Sequence, residues 1–329
     1  MKTHRIAFKD TIALVTAEDD FISAAEAEIR KARLDLEEYI YFRPLFRYVL
    51  SPLPDDPKAP PIARRMIRAA ARAGVGPMAA VAGATAEAAL RAMIKAGAKH
   101  AVVSNGGDIA MIIDRPVTVG VFTGREEDAI GLRFAPRPGT IAVCTSSGTV
   151  GHSLSFGQAD AATVVARDAA LADAAATALG NTVRRRNEAG LLMALEKIRF
   201  SGIEGMMAVA GARIAAKGRL PEIVRTRIDR NHNLNSGRSR PIPCDSDDFP
   251  RGLAVLPQGI AESQNPSTRF PSCSPEPAAS LGFCQPVVNE RAECRVGKGV
   301  NIEVIRQRIR TFGAEAAFCR PREGCHHDQ

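Results

Sequence analysis

Tryptophan is absent from the 329 residues, tyrosine occurs three times, and aromatic residues make up 5% of the chain. A chain this poor in rings has few platforms for stacking successive nucleobases, which argues against a single-stranded nucleic-acid partner. No apolar run reaches the length of about 18 residues that a membrane-spanning helix needs. Cys-x-x-Cys pairs are missing, so zinc ribbons and fingers are excluded. No Gly-Lys-Ser/Thr closes a Walker A loop, and no Ser-His-Asp or Cys-His signature argues for a hydrolase. The opening MKTHRIAFKDTIALVTAEDD has a charged start, only a short apolar stretch and no small-residue cleavage site. It does not read as a signal peptide. The expectation is a cytoplasmic protein that engages neither nucleic acid nor membrane.

The composition is otherwise that of a soluble globular chain, with 45% hydrophobic and 24% charged residues. The net charge of +8 is spread along the sequence, and it suits phosphate-bearing small molecules as well as any larger polyanion. Six of the seven cysteines follow residue 243, and ten of the 21 prolines follow residue 225, where Lys298 is the lone lysine among many arginines. This abrupt shift near residue 225 divides the chain. Residues 225–329 offer little patterned apolar surface to repay their ordering entropy. They are expected to be mostly disordered, with one short helix around residues 301–310. The tail cysteines read as unpaired thiols, with metal binding through Cys325-His326-His327 as the alternative.

Residues 1–224 alternate helices and strands. Strands are expected at 11–16, 100–104, 109–113, 117–122, 130–134, 140–144, 160–166, 206–211 and 212–218. Helices are expected at 19–39, 61–73, 78–96, 169–180 and 187–198, the second opened by Pro61 and closed by Gly74. Several neighbouring strands have hairpin-length connections. The fold class is therefore α+β with a largely antiparallel sheet. The Ala-rich helix at 78–96 has small residues on every face and should pack closely on a neighbour. Such a surface also suits a homodimer.

Four motifs carry chemistry. Ser104-Asn105-Gly106-Gly107-Asp108 joins two strands; it reads as a hairpin turn, or as a place where glycines let a phosphate approach the backbone. Thr145-Ser146-Ser147-Gly148-Thr149 follows a strand and is dense in hydroxyl and N–H groups, as in an anion nest. His152 ends that loop, either as a structural histidine or as an acid or base near neutral pH. Asp173 and Thr177 stand four apart on one helix face. They offer two oxygens to a hard cation such as Mg²⁺, although an early aspartate also simply favours the helix dipole. Arg64, Arg65, Arg68 and Arg72 form a stripe, and Arg184-Arg185-Arg186 a cluster; both read chiefly as solvated faces. Cys144 closes an apolar strand and reads as core.

Taken together, GPMAAVAGATAE (76–87), SNGGDI (104–109), TSSGTVGHSLSFGQAD (145–160) and LADAAATALGN (171–181) closely resemble an uncharacterised prokaryotic ApbE-like protein family. That family is in turn similar to the ApbE-type FAD:protein FMN transferases. The resemblance covers about residues 5–224 and implies a T-fold-like architecture of antiparallel sheets with packed helices. It implies flavin contacts from Gly106, Gly107 and Asp108, and pyrophosphate contacts from Thr145, Ser146, Ser147, Gly148 and Thr149. It implies Mg²⁺ on Asp173 and Thr177, with His152 as base. In the transferases a Lys-Gly pair and a following Asp precede the Gly-Gly-Asp turn; here Ala82 precedes Gly83, and Glu87 takes the Asp position, which the resemblance implies is a further contact to the nucleotide cofactor. Ser155-Phe156 stands where the transferases have Asp-Pro.

The reaction so implied transfers FMN from FAD to a Thr or Ser hydroxyl of a protein acceptor, with AMP leaving. The alternative is a flavin- or nucleotide-binding accessory protein that does not cleave its ligand and serves a cytoplasmic pathway such as sulfur assimilation.

Overall fold

The computed structural model describes residues 1–124, 129–148 and 157–226, together with the strand at 253–256. Contacts divide the chain into Met1–Gln258 and Gly259–Gln329, and every described residue lies in the first unit. The chain opens with the hairpin β1 (Lys2–Phe8) and β2 (Thr11–Ala17), turned through Lys9 at a positive φ of 51°. A 3-10 turn leads into α1 (Ile22–Phe42), followed by the short α2 (Leu45–Tyr48) and by α3 (Pro61–Ala73). Pro61 sits in the first turn of α3, and Gly74 ends it in the left-handed conformation that glycine adopts without penalty. A second 3-10 turn (Pro77–Ala80) enters α4 (Val81–Lys95).

Strands β3 (Ala101–Asn105), β4 (Asp108–Ile112), β5 (Val117–Val121), β6 (Ala129–Phe134), β7 (Ile141–Ser146) and β8 (Ala161–Ala166) come next. They are followed by α5 (Ala169–Thr182), α6 (Glu188–Lys197), β9 (Ile203–Ala210), β10 (Arg213–Gly218) and β11 (Glu222–Thr226). The last described element is β12 (Leu253–Leu256). The large sheet has the order β1-β2-β3-β4-β7-β8-β9-β10-β12, and a small sheet has the order β11-β6-β5. Every pairing is antiparallel except β10 with β12. The α+β reading with antiparallel sheets therefore holds.

The strand period of two sorts side chains to the two faces of the large sheet. Val103, Ala110, Ala142, Cys144, Ala162, Val164 and Ala208 join the core shared with the helices. Their neighbours Val102, Ile109, Met111, Val143, Val165, Met207 and Val209 join a second core with the small sheet. The helix-side face is rich in alanine, so α4 and α5 lie close on it. At the crossing of α4 and α5 this closeness is extreme: a Cβ on Gly83 would collide with the Ala169 carbonyl oxygen and lie 2.8 Å from Asp173 Cβ. At Gly83 the small-residue surface of α4 is thus used inside the chain.

Three strands escape the sequence reading. The alternation of β1 is blurred by Lys2, His4 and Arg5. β11 begins before the composition shift and runs through it. β12 is a four-residue apolar run inside the otherwise polar tail, and it pairs with β10 in the register Ile214↔Leu253. The remainder of residues 227–329, including the helix expected at 301–310, lies outside the described residues.

Candidate functional site

The α4 helix begins without a side-chain cap of its own. The first N–H groups of any helix lack intrahelical partners and carry positive partial charge. Here Asp173, in the second turn of α5, supplies the acceptor. Its Oδ2 takes the Gly83 N–H at 2.8 Å, and its carboxylate also bonds the Ala82 N–H. From the sheet side, Asn105 Nδ2 donates to the Ala82 carbonyl at 3.2 Å. The start of α4 is therefore clamped between α5 and the β3–β4 turn.

That turn is Asn105-Gly106-Gly107-Asp108, with Asn105 paired to Asp108 and positive φ at Gly106 (64°) and Gly107 (104°). A Cβ at either glycine would meet nothing within 4 Å, so the positive φ, not crowding, is what calls for glycine. The turn delivers Asp108 onto the helix-side face of the sheet, one step beyond the Ile109↔Val143 pair and so beside Cys144. The Asp108 carboxylate accepts from the Thr145 N–H at 3.2 Å and is hydrogen-bonded by the Cys144 thiol. Cys144 Sγ also lies 3.5 Å from the Ala169 carbonyl oxygen.

Asp108 and Asp173 are each 9% exposed. Burial pushes the Asp108 carboxyl up to about 7. Burial, and then the charge of Asp108, push Asp173 well above the usual carboxylate range, against the pull of the Gly83 and Ala82 N–H groups. Burial and the same two carboxylates hold the Cys144 thiol well above its ordinary value, which makes it an inert thiol. Among the described residues no cation pairs with either aspartate. Ser146 Oγ, two residues beyond Cys144 on the same face, is buried and has no hydrogen-bond partner among the described residues. Thr177 lies one turn after Asp173 and is half-buried.

The other expected site residues are placed differently. Glu87 is 2% exposed and pairs with Arg65 and, at 2.7 Å, with Arg91; its Oε2 accepts the Ala169 N–H at 2.9 Å. Burial pushes its carboxyl up, but Arg65 and Arg91 prevail and hold it below the usual range. Thr145 turns its hydroxyl to the opposite sheet face, 3.0 Å from the Thr163 hydroxyl. Gly148 donates its N–H to the Ala159 carbonyl at 3.0 Å, and a Cβ there would collide with the Gly157 carbonyl. Ser147 is half-buried and already engaged. Thr149 and His152 lie outside the described residues. The arginine stripe is paired with protein groups: Arg64 and Arg68 with Asp55, Arg65 with Glu87, and Arg72 with the Ser201 carbonyl. In the second cluster Arg186 grips Asp160 through two hydrogen bonds.

Sequence reasoning missed Asn105, which reads as an ordinary turn residue, and the placement of Cys144 against Asp108. The only local signal for the Glu87 pairing was the i,i+4 spacing to Arg91.

A protein-family model described as "AbpE bacteria" matches residues 5–193, more than half of the chain. The chain belongs to this family. A UPF0280 protein of Methanosarcina acetivorans is 45% identical over 223 residues, covering 67% of this chain and 88% of that one. A UPF0280 protein of Methanocella arvoryzae is 44% identical, covering 69% and 93%, and one of Archaeoglobus fulgidus is 42% identical, covering 68% and 94%. The AbpE-family chain thus spans nearly the whole length of these relatives and carries about a third of its own length outside the match. Among solved structures, a mutant of the flavin transferase ApbE from Vibrio cholerae is similar at 13% identity and a TM-score of 0.44, covering 68% of this chain and 98% of that one. The apo flavinyl transferase ApbE of Pseudomonas stutzeri is similar at 11% identity and a TM-score of 0.42, covering 69% and 94%.

For a hard divalent cation the donor set fits. Asp108 and Asp173 offer carboxylate oxygens and Ser146 a buried hydroxyl with no partner among the described residues, and Thr177 stands one turn along α5 from Asp173. No cluster of three or more His, Cys, Asp or Glu side chains able to hold a metal occurs among the described residues. Two carboxylates with neutral oxygens match the preference of Mg²⁺, which completes its shell with water or phosphate oxygens.

Proposed function

We propose that residues 1–224 bind a flavin dinucleotide together with Mg²⁺ at the Asp108–Asp173 pair, and that the reaction is transfer of FMN from FAD to a protein hydroxyl. One observation carries this reading: two buried carboxylates from distant parts of the sequence come together on the face that carries the buried Ser146 hydroxyl, and among the described residues no cation balances them and no group bonds that hydroxyl. A bound Mg²⁺ would neutralise charge on the pyrophosphate and on the departing AMP. Asp173 and Asp108 would hold it, with Thr177 and Ser146 completing the oxygen face. Gly106, Gly107 and the loop from Ser147 to Thr149 would lie against the phosphates. In the transfer the acceptor oxygen bonds to the FMN phosphorus. The phosphoanhydride bond breaks, and AMP leaves with the bridging oxygen. The proton of the acceptor hydroxyl goes to a base, for which we assign His152.

The test is titration of the full chain with FAD, followed by flavin fluorescence with and without Mg²⁺, and an assay of AMP release. We expect Mg²⁺-dependent binding that Asp173→Asn abolishes. Absence of FAD binding under either condition would overturn the reading. A second reading, binding without cleavage, is favoured by the start of α4. There Ala82 stands where the transferases have lysine, and both its carbonyl and its N–H are tied to protein groups. Tight FAD binding without AMP release would select it.

A further inference from the structure

A groove with a cavity volume of about 720 Å³ lies between the large and small sheets, at the strand ends away from the Asp108–Asp173 site. β8 runs from Ala162, opposite Ser146, to Val165, opposite Val143, and Val165 lines the groove. The walls are stiff. Pro116, Pro136 and Pro221 have their φ angles fixed by the ring, and Phe134, Val165 and Leu220 add apolar surface. A groove of this kind is preformed and loses little entropy when filled.

Three arginines converge on it: Arg133, Arg137 and Arg219. Arg137 Nη1 donates to Glu204 Oε2 at 2.5 Å. Nε and Nη2, the other edge of the same guanidinium, are buried and have no hydrogen-bond partner among the described residues. That edge presents two parallel N–H groups, the fork that matches a carboxylate or phosphate. Leaving buried donors without an acceptor carries a desolvation cost that a bound anion would remove. Glu204 does not supply the acceptor, because it is shared between Arg137 and Arg167, the latter at 3.5 Å. Arg133 and Arg219 have no acidic partner among the described residues. Glu222 is the one other carboxylate on the lining, and it is exposed at the rim. The side chain of Arg137 as a whole is 31% exposed, and a ligand reaches the buried Nε–Nη2 edge by a turn of the head group toward the cavity.

We propose that this groove is a second binding site, for a small organic oxyanion whose carboxylate or phosphate is held by the free edge of Arg137 and by Arg219, and whose apolar body lies on Phe134, Leu220 and the prolines. It is separate from the proposed flavin site and does not depend on it.

The test is isothermal titration of the full chain with phenyl phosphate, benzoate and, as the uncharged control, phenol. We expect at least one of the two anions to bind and phenol to bind more weakly. A preference for phenyl phosphate assigns the ligand to phosphate esters, and a preference for benzoate assigns it to carboxylic acids. Arg137→Gln should weaken anion binding by about tenfold or more, the loss of a charge-assisted hydrogen bond. Because Arg137→Gln also frees Glu204, the exposed Arg219→Gln is the second variant and should weaken binding in the same direction. Asp173→Asn should leave it unchanged. No binding of either anion, equal binding of phenol, or binding indifferent to both arginine variants would overturn the proposal.

Discussion

Glu87 and Asp173 do the same mechanical task in opposite directions. Glu87, on α4, accepts the first N–H of α5, and Asp173, on α5, accepts the Gly83 N–H at the start of α4. The two helices thus cap each other across a crossing that Gly83 makes possible. Their surroundings differ. Glu87 has two arginines and stays ionised. Asp173 has a second buried carboxylate beside it and no cation among the described residues. A charge that serves only to hold two helices together is supplied with its counter-charge by the protein. A buried pair left without one calls for a proton or a cation from outside. The contrast separates a scaffold carboxylate from the one we propose as a site, between two residues that the sequence motifs both mark as ligand contacts.

Removing Glu87 should have the largest effect. Glu87→Ala leaves Arg65 and Arg91 without their carboxylate and takes the acceptor from the Ala169 N–H, while Asp168 keeps its own cap on the Leu171 N–H, and denaturant unfolding should report a loss of about 3 kcal/mol. Glu87→Gln keeps an acceptor for the Ala169 N–H and should lose less. An equal loss in both variants would mean that the charge, not the cap, is what matters.

The aspartate pair predicts a pH dependence. The folded-state value of Asp108, about 7, lies above its unfolded value near 3.8, and Asp173 is shifted the same way. Between those values the native state holds the extra proton. The stability contribution is therefore full below the unfolded value and is lost as pH rises through about 7. Metal-free protein should lose on the order of 2–4 kcal/mol between about pH 5 and pH 8. Glu87, shifted downward, is ionised throughout that window and does not contribute. Asp108→Asn should flatten the slope, and an unchanged slope in that variant would separate the two aspartates electrostatically.

Gly83→Ala should cost about 1–3 kcal/mol, because the new methyl meets backbone and not a movable side chain. It should weaken both caps together, so thermal melts of Gly83→Ala and of the double variant Gly83→Ala/Glu87→Gln should be clearly non-additive.

Much of this architecture is legible in the sequence because local rules dominate it. Pro61 and Gly74 bracket α3, and Asn105-Gly106-Gly107-Asp108 is a hairpin turn by its own chemistry. The central strands of the large sheet, β3, β4, β7 and β8, show as short apolar runs because both of their faces are buried. What stays hidden is what only tertiary contact creates. Asp108 and Asp173 are each visible as candidates, yet nothing in their spacing says that they meet. Cys144 reads as core and is core, but the carboxylates beside it are 36 and 29 positions away in the sequence. Glu87 stands out through the family motif as a ligand contact, whereas its partners Arg65 and Ala169 lie 22 and 82 positions away. β12 is missed because four apolar residues in a polar tail form a strand only where an open sheet edge accepts them.

The most direct test of the contrast is thermal unfolding of the full chain at about pH 7.5, titrated with Mg²⁺ in the presence of FAD. The account predicts a rise in Tm with added Mg²⁺ that is lost in Asp108→Asn and Asp173→Asn and kept in Glu87→Gln, because a ligand bound only by the native state stabilises it. A Tm indifferent to Mg²⁺, or a rise that survives in both aspartate variants, would contradict it.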